Sequence, residues 1–325
     1  MERLWLHTAV TCKGVWDMEK MDAIQLRLLE EVADLHKVPE GAYNFRANSQ
    51  LAGRHTTANI DIQSKPDGTG IDIYIKAGTK KESVHIPVVL SASGIKETVY
   101  NDFYIGDDCD VVIVAGCGID NCGTQDSEHD GVHRFFIGKN SVVKYVEKHY
   151  GSGDGTGKRI LNPVTELAME ENSMMEMEMV QIKGVDSTNR MSKAVLGKGA
   201  RLVVHERLMT HGEQSAVSRY DVCLNGEGAS ADVVSRSVAR DRSYQKLDLC
   251  IKGNAACNGH TECDSIIMDE GRILAVPSLE ANHTDAMLVH EAAIGKIAGD
   301  QLIKLMTLGL TEKEAEEQII NGFLK

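Results

Sequence analysis

Between Cys257 and Ile297 the chain gathers two cysteines, three histidines and seven carboxylates: CNGHTECDSIIMDEGRILAVPSLEANHTDAMLVHEAAIGKI. Thiolate, imidazole and carboxylate are the groups that hold borderline metals such as zinc and iron. Cys263 stands between Glu262 and Asp264, and Glu291 follows His290. A deprotonated cysteine can ligate iron or take up sulfur as a persulfide. Spacing alone favours a structural cysteine and a helix-terminal glutamate. Only a fold that returns the tail onto Cys263 makes one site of them.

A second group, Cys109, Cys117 and Cys122 with Glu128, His129, Asp130 and His133, offers the same donor types. Cys117, Cys122, His129 and His133 are its candidate metal ligands. The group has no CxxC pair and matches no zinc-finger spacing, so a turn with buried cysteines is the simpler reading. The run from Gly151 to Arg159, GSGDGTGKR, invites comparison with a phosphate-binding loop. It has Ser152 where such a loop needs Gly and Arg159 where it needs Ser or Thr, and no helix pattern follows. It reads as a flexible glycine loop, which leaves the chain without a nucleotide-hydrolysing motif.

The chain has 325 residues, 42% of them apolar and 26% charged, which is a globular composition able to bury a substantial core. A formal net charge of −13 opposes nonspecific nucleic-acid binding, which requires a basic face. There is no 18-residue apolar run and the N-terminus lacks a signal-peptide core, so a cytoplasmic protein without a membrane span is expected. Reduced thiols, not disulfides, are expected for its eight cysteines.

The elements that must position these residues follow from periodicity. Met21, Ile24, Leu28, Val32 and Leu35 form one apolar stripe, predicting a helix over Met18–His36 that Pro39 and Gly41 end. Ile71-Asp72-Ile73-Tyr74-Ile75 alternates as a half-buried strand does, and so does Met175-Glu176-Met177-Glu178-Met179, whose methionines should face a core. Ile105-Gly106-Asp107-Asp108-Cys109 is echoed by Ile137-Gly138-Lys139-Asn140-Ser141 and Leu196-Gly197-Lys198-Gly199-Ala200. Asn225-Gly226-Glu227-Gly228-Ala229 and Lys252-Gly253-Asn254-Ala255-Ala256 follow the same form. The spacing, commonly about 26–32 residues, points to a solenoid in which each coil buries its face on the next. From Thr284 the tail is expected to be helical, over Ala286–Lys296 and Asp300–Thr307. Thr311 and Glu314 then supply a capping box for a last helix with Ala315, Ile319 and Ile320 on its apolar face.

The tail also carries a resemblance. Leu288-Val289-His290-Glu291-Ala292-Ala293-Ile294-Gly295-Lys296-Ile297, Asp300-Gln301-Leu302, Leu305-Met306, Gly309-Leu310-Thr311-Glu312 and Ile320-Asn321-Gly322-Phe323 resemble the C-terminal signature of the SufB/SufD family. Glu262-Cys263-Asp264-Ser265 is similar to that family's cysteine-bearing late strand, and Arg236-Ser237-Val238 to a core segment. These proteins are scaffolds for iron–sulfur cluster assembly.

The resemblance implies a mainly β fold: a right-handed β-helix (β-solenoid) core over 48–283, an N-terminal helical segment over 1–47, and a C-terminal helical segment over 284–325. It implies docking of a SufC-like ABC-type ATPase on that last segment, for which Gln301, Leu305, Leu310, Ile319 and Phe323 are the candidate residues. It also implies a transient iron–sulfur cluster, [4Fe–4S] or a precursor, held by Cys263 and Glu291, with His290, Asp264 and His260 as lesser candidates. The chain resembles the compact, SufB-like type, for which a homodimer through the β-helix, a sulfur donor and apo-protein acceptors are expected. It would then be a scaffold and not itself an enzyme. Two readings of other classes compete: a β-solenoid hydrolase or lyase acting on an acidic polymer, and a zinc-stabilised interaction module.

Overall fold

The computed structural model describes residues 21–325. Its frame is the expected β-solenoid, of about eight turns. Each coil crosses two sheets. The first sheet stacks Asp110–Asp120, Val142–Ser152, Met174–Lys183, Arg201–Thr210, Ser230–Ala239, Asn258–Ile267 and Met287–Gly295 in parallel, in that order. The second runs Lys96–Ile105, Ser127–Ile137, Ser187–Leu196, Ser215–Leu224, Tyr244–Gly253, Arg272–Ala281. The short strands Arg159–Leu161 and Val164–Met169 supply its coil between Ser127–Ile137 and Ser187–Leu196. Side chains bonded between successive coils lie 32 residues apart at Lys144–Glu176 and 28 apart at Ser237–Ser265. The repeat read from the glycine turns is this coil.

Period two sorts the side chains. Met175, Met177 and Met179 face inward and are fully buried, joining Val143, Tyr145, Leu202 and Val204 in one continuous core. At the corners, the fourth residue of the repeated turn takes a left-handed backbone: Asp108, Asn140, Gly199 and Gly228 have φ of 55, 55, 64 and 73°. Only Gly, Asn and Asp adopt that region cheaply. The next side chain, Cys109, Ser141, Ala200 or Ala229, is small because it is fully buried in the corner. Asn172 (φ 56°) makes the same corner without the glycine two residues earlier that marks the other copies. In the last copy the buried corner residue is Cys257, one place beyond the Ala256 that the repeat suggested.

The first helix, α1 (Ala23–Ala33), starts at Asp22, whose side chain accepts from the Gln25 N–H while the Gln25 side chain returns the bond. It stops at Asp34, left-handed with φ 52°, and so ends before Pro39 and Gly41. The predicted start at Met18 lies outside the described residues. Leu28, Leu29 and Val32 pack on Tyr43, Phe45 and Val89. Strands begin at Ala42, before the expected 48.

The main correction is in the tail. Met287–Gly295, expected to be helical, is a strand, paired in parallel with Asn258–Ile267 along its whole length. Strand structure therefore continues past residue 284. Helix resumes in α2 (Gly299–Thr307) and α3 (Glu312–Phe323), with the Thr311–Glu314 capping box formed. Ile320 and Leu324 lay α3 back on Val238, Met209, Ile266 and Met268. Among the described residues no helix is long and apolar enough to cross a membrane.

The glycine-rich loop is stacked on the preceding coil. Gly155 and Gly157 donate to the carbonyls of Asn121 (3.0 Å) and Gly123 (3.1 Å). A Cβ on Gly155 would sit 2.2 Å from the Gly123 oxygen, so close approach is what the glycines provide there.

Candidate functional site

The last two coils of the first sheet bring the tail back to Cys263. Thr261, Glu262 and Cys263 stand in register beside His290, Glu291 and Ala292. Alternation then divides them between two faces. Cys263 (1% exposed) points into the solenoid, as do Thr261 and, from the last coil, His290. His260, Glu262, Asp264 and Glu291 point outward. Cys263 and Glu291 are thus one register step apart on adjacent coils but do not share a face.

Inside, Cys263 stacks on the buried Ser235 of the previous coil. Ser235 donates to Glu206 (2.8 Å), which also accepts from Ser218 (2.7 Å) and lies 3.6 Å from Arg190. Burial, then Glu206, Asp264 and Glu262, push the Cys263 thiol up to about 12. It is a protonated thiol in this conformation. The His290 Nδ1 lies 2.7 Å from the Thr261 hydroxyl, and burial and His260 lower its pKa.

Outside, one ligand atom from each of His260, Glu262 and Glu291 falls within 4.8 Å of the others; among the described residues no other three His, Cys, Asp or Glu side chains meet that condition. His260 Nδ1 is 2.8 Å from Asp232 Oδ1. Burial raises the Glu262 pKa, and the hydrogen-bonded carboxyl of Asp264 adds to the rise. A groove of about 430 Å³ opens beside the triad, lined by Arg201, Asp232, Asn258, His260, Met287 and Val289 among others.

The second sequence group does not assemble as one ligand set. Cys122 is exposed, 3.2 Å from Asp120. His133 bonds the Tyr145 hydroxyl at 2.8 Å, and burial lowers its pKa to about 4. Cys117 and His129 do meet, deep in the first coils, together with His149, which spacing had not singled out. Burial disfavours the thiolate, but His129 and His149 bring Cys117 down to about 7. Burial likewise opposes charge on His129, yet Cys117 and Glu97 raise it to about 10. Glu97 lies 2.9 Å from His129 Nδ1 and accepts from Arg46 at 3.1 Å. From there a chain of buried titratable groups continues through His149 and Glu147 to Arg190, which reaches Glu206 at 3.6 Å. Arg190 Nη1 donates to Glu147.

The family model for the SUF-system iron–sulfur cluster assembly SufBD core domain matches residues 103–323. The chain belongs to this family. It is 27% identical over 255 residues to a SufBD family protein of Methanocaldococcus jannaschii, covering 78% of this chain and 79% of that one. With a SufBD family protein of Pyrococcus horikoshii the identity is 26% over 284 residues, 86% and 85% of the two chains. With the iron-sulfur cluster assembly protein SufB of Bacillus subtilis it is 25% over 264 residues, 79% of this chain and 55% of that one. The resemblance seen in the tail is therefore a family relationship, and iron–sulfur cluster assembly is the work of the family.

Residue type and spacing alone do not single out Glu262. The signal that finds it is parity: in a strand, His260 and Glu262 share a face, and Cys263 takes the other.

Proposed function

We propose that the chain is a cytoplasmic, non-enzymatic scaffold on which an iron–sulfur cluster is built before transfer to apo-proteins, with ATP hydrolysis supplied by a SufC-like ABC ATPase. The observation that carries the reading is the join of the last two coils, where a soft donor, Cys263, and the oxygen donor Glu291 stand one register step apart. A cluster held by one thiolate and by carboxylate oxygen is held weakly enough to leave, unlike one held by four thiolates.

Because the two donors leave opposite faces, cluster building on this reading requires the last coil to turn or peel, a rigid-body switch that a partner docked on the tail would drive. Of the residues expected to dock that partner, Leu305 and Leu310 are half-buried, Gln301 is exposed, and Ile319 and Phe323 are half-buried on α3, which packs on the solenoid. The apolar surface left free is on and just after α2: Ile303, Met306 and Leu308. A homodimer through the β-helix is supported by its end, where among the described residues Arg272–Ala281 and Met287–Gly295 each pair within their sheet on one side only. They expose Leu274, Val276, Met287 and Val289.

Anaerobic reconstitution with iron and sulfide tests the reading. The native chain should develop a thiolate-to-iron absorption band and pass its cluster to an apo-ferredoxin, and Cys263→Ala and Glu291→Ala should each lose both. Retention of band and transfer in the two variants would refute the assignment.

A further inference from the structure

Charge on the outer faces of this solenoid follows a stacking rule. Where a charged residue is aligned in register with another on the next coil, the two are commonly opposite and form an ion pair. The pairs are Lys96–Glu128 (3.9 Å), Arg134–Glu166 (3.1 Å), Lys144–Glu176 (2.8 Å), Arg219–Asp248 (3.5 Å) and Lys252–Glu280 (3.5 Å). Opposed like charges on adjacent strands destabilise a sheet. Carboxylate faces carboxylate in register at two places among the described residues. At Asp72–Asp102 the chain supplies its own cation, since Lys65 Nζ donates to both, at 2.5 and 2.8 Å. At Glu262–Glu291 no lysine or arginine lies within ion-pair distance of either glutamate among the described residues; Arg236, in register with Asp264, acts on Glu262 only from farther off. What stands third there is a histidine, His260, with its ligand atom within 4.8 Å of both carboxylates.

The histidine is oriented for a ligand. Asp232 engages Nδ1 at 2.8 Å, so an ion at the triad would take the other ring nitrogen, Nε2. A carboxylate behind one imidazole nitrogen is the usual support of a metal-bound histidine. The groove reaches the triad at His260, which lines it together with Asp232.

We propose that His260, Glu262 and Glu291 form a mononuclear iron(II) site on the outer face of the last coil, in which Cys263 is not a ligand. One nitrogen and two carboxylate oxygens with open positions suit a divalent iron or manganese ion, and carry no thiolate preference for copper(I). The ion takes the place that Lys65 holds at the other carboxylate stack. Its naming as iron rests on the scaffold reading; the existence of a divalent-cation site does not. Iron then waits outside the sheet while Cys263, on the inside, is kept from it until the coil moves.

The test uses the full chain, anaerobically, with iron(II) in equilibrium dialysis and manganese(II) as an EPR-visible probe. One ion per chain is expected, with binding unchanged in Cys263→Ser. Glu262→Gln and His260→Ala should each weaken binding at least about tenfold, and Asp232→Asn about 10–100-fold through its hold on the histidine. Folding is controlled by melting without metal: Glu262→Gln removes a like-charge contact and should melt no lower than the native chain. Added manganese should raise the melting point of the native chain but not of this variant. The proposal is overturned by the absence of saturable binding, by retention in both Glu262→Gln and His260→Ala, or by loss in Cys263→Ser. If the site binds iron and no cluster forms in the native chain, the scaffold reading fails and the site stands. If clusters form while the triad binds nothing, the reverse holds.

Discussion

Cys263 lies beside Ala292 in register, one residue from Glu291, yet the thiol points into the solenoid and the carboxylate points out of it. The environment of Cys263 is built from its own coils: Ser235 beneath it, Glu206 near by, and carboxylates on either side in sequence. Burial and the three carboxylates, Glu206, Asp264 and Glu262, disfavour the thiolate. With the thiol at about 12, only about one molecule in ten thousand carries the thiolate at pH 8. In this conformation Cys263 is held as the thiol.

Thiol reactivity reads that state directly. With a colorimetric disulfide reagent at pH 8, Cys122, which is exposed, should react in the fast phase, and Cys122→Ser should remove one fast thiol. Cys263 should react at least about 100-fold more slowly, because the thiolate is the nucleophile. Adding the ATPase partner with a nonhydrolysable ATP analogue should speed its modification. Equal rates for Cys263 and Cys122 in the chain alone would show the coil already open.

Much of this was legible in the sequence, and the failures have particular causes. Alternation at Met175–Met179 and the left-handed corners at Asp108 and Asn140 mark coils because burial imposes period two and corners demand special residues. Met287–Gly295 escaped because it is the terminal coil. Its outward Met287 and Val289 and its inward Leu288 and Ala292 are both apolar, and an alanine-rich run favours helix by propensity. Pairing with Asn258–Ile267 overrides that preference. Which face Glu291 takes depends on register between coils, and a single chain does not display register. His149 and Glu97 joined Cys117 for the same reason: they come from other coils.

The buried Cys117–His129 pair gives a pH prediction with a definite sign. His129 is raised to about 10 from 6.5, so its contribution to stability is complete below about 6.5 and is lost as pH rises through about 10. Cys117 is depressed to about 7 from 9, so its contribution is present above about 9 and is lost as pH falls through about 7. Thiolate absorbance near 240 nm should include a group titrating near 7 that is absent in Cys117→Ser. In His129→Gln the same group should titrate above 7, and the deficit in melting temperature against the native chain should shrink as pH rises through 10. A Cys117 midpoint that His129→Gln leaves in place would sink the pairing.

Arg190 balances Glu147 and Glu206 in the interior, where all three are at least 95% buried. Removing one partner of a buried ion pair leaves an uncompensated charge and costs about 3–5 kcal/mol. Arg190→Met should lower stability by that amount in urea unfolding. Adding Glu147→Gln should recover part of it, since one of the two stranded carboxylates is then neutral. A double variant no more stable than Arg190→Met would mean that the network acts by packing alone.

The two tail helices should separate stability from partner binding. Ile320 is buried against Val238, Met209 and Ile266, so Ile320→Ala should cost about 2–5 kcal/mol, although a shallow site on the solenoid surface places it at the low end. Thr311→Ala removes the N-cap of α3 and should cost about 1 kcal/mol. No residue of α2 is buried, and Ile303 and Leu308 are 61% and 76% exposed. Ile303→Asp with Leu308→Asp should leave the melting temperature within a degree or two of native, because both side chains are mostly exposed. If α2 docks the ATPase, the same double change should abolish co-purification of the two proteins, because a charge in an apolar interface must be desolvated without a partner. Co-purification that survives the double change but fails in Ile320→Ala would move the docking surface from α2 to α3.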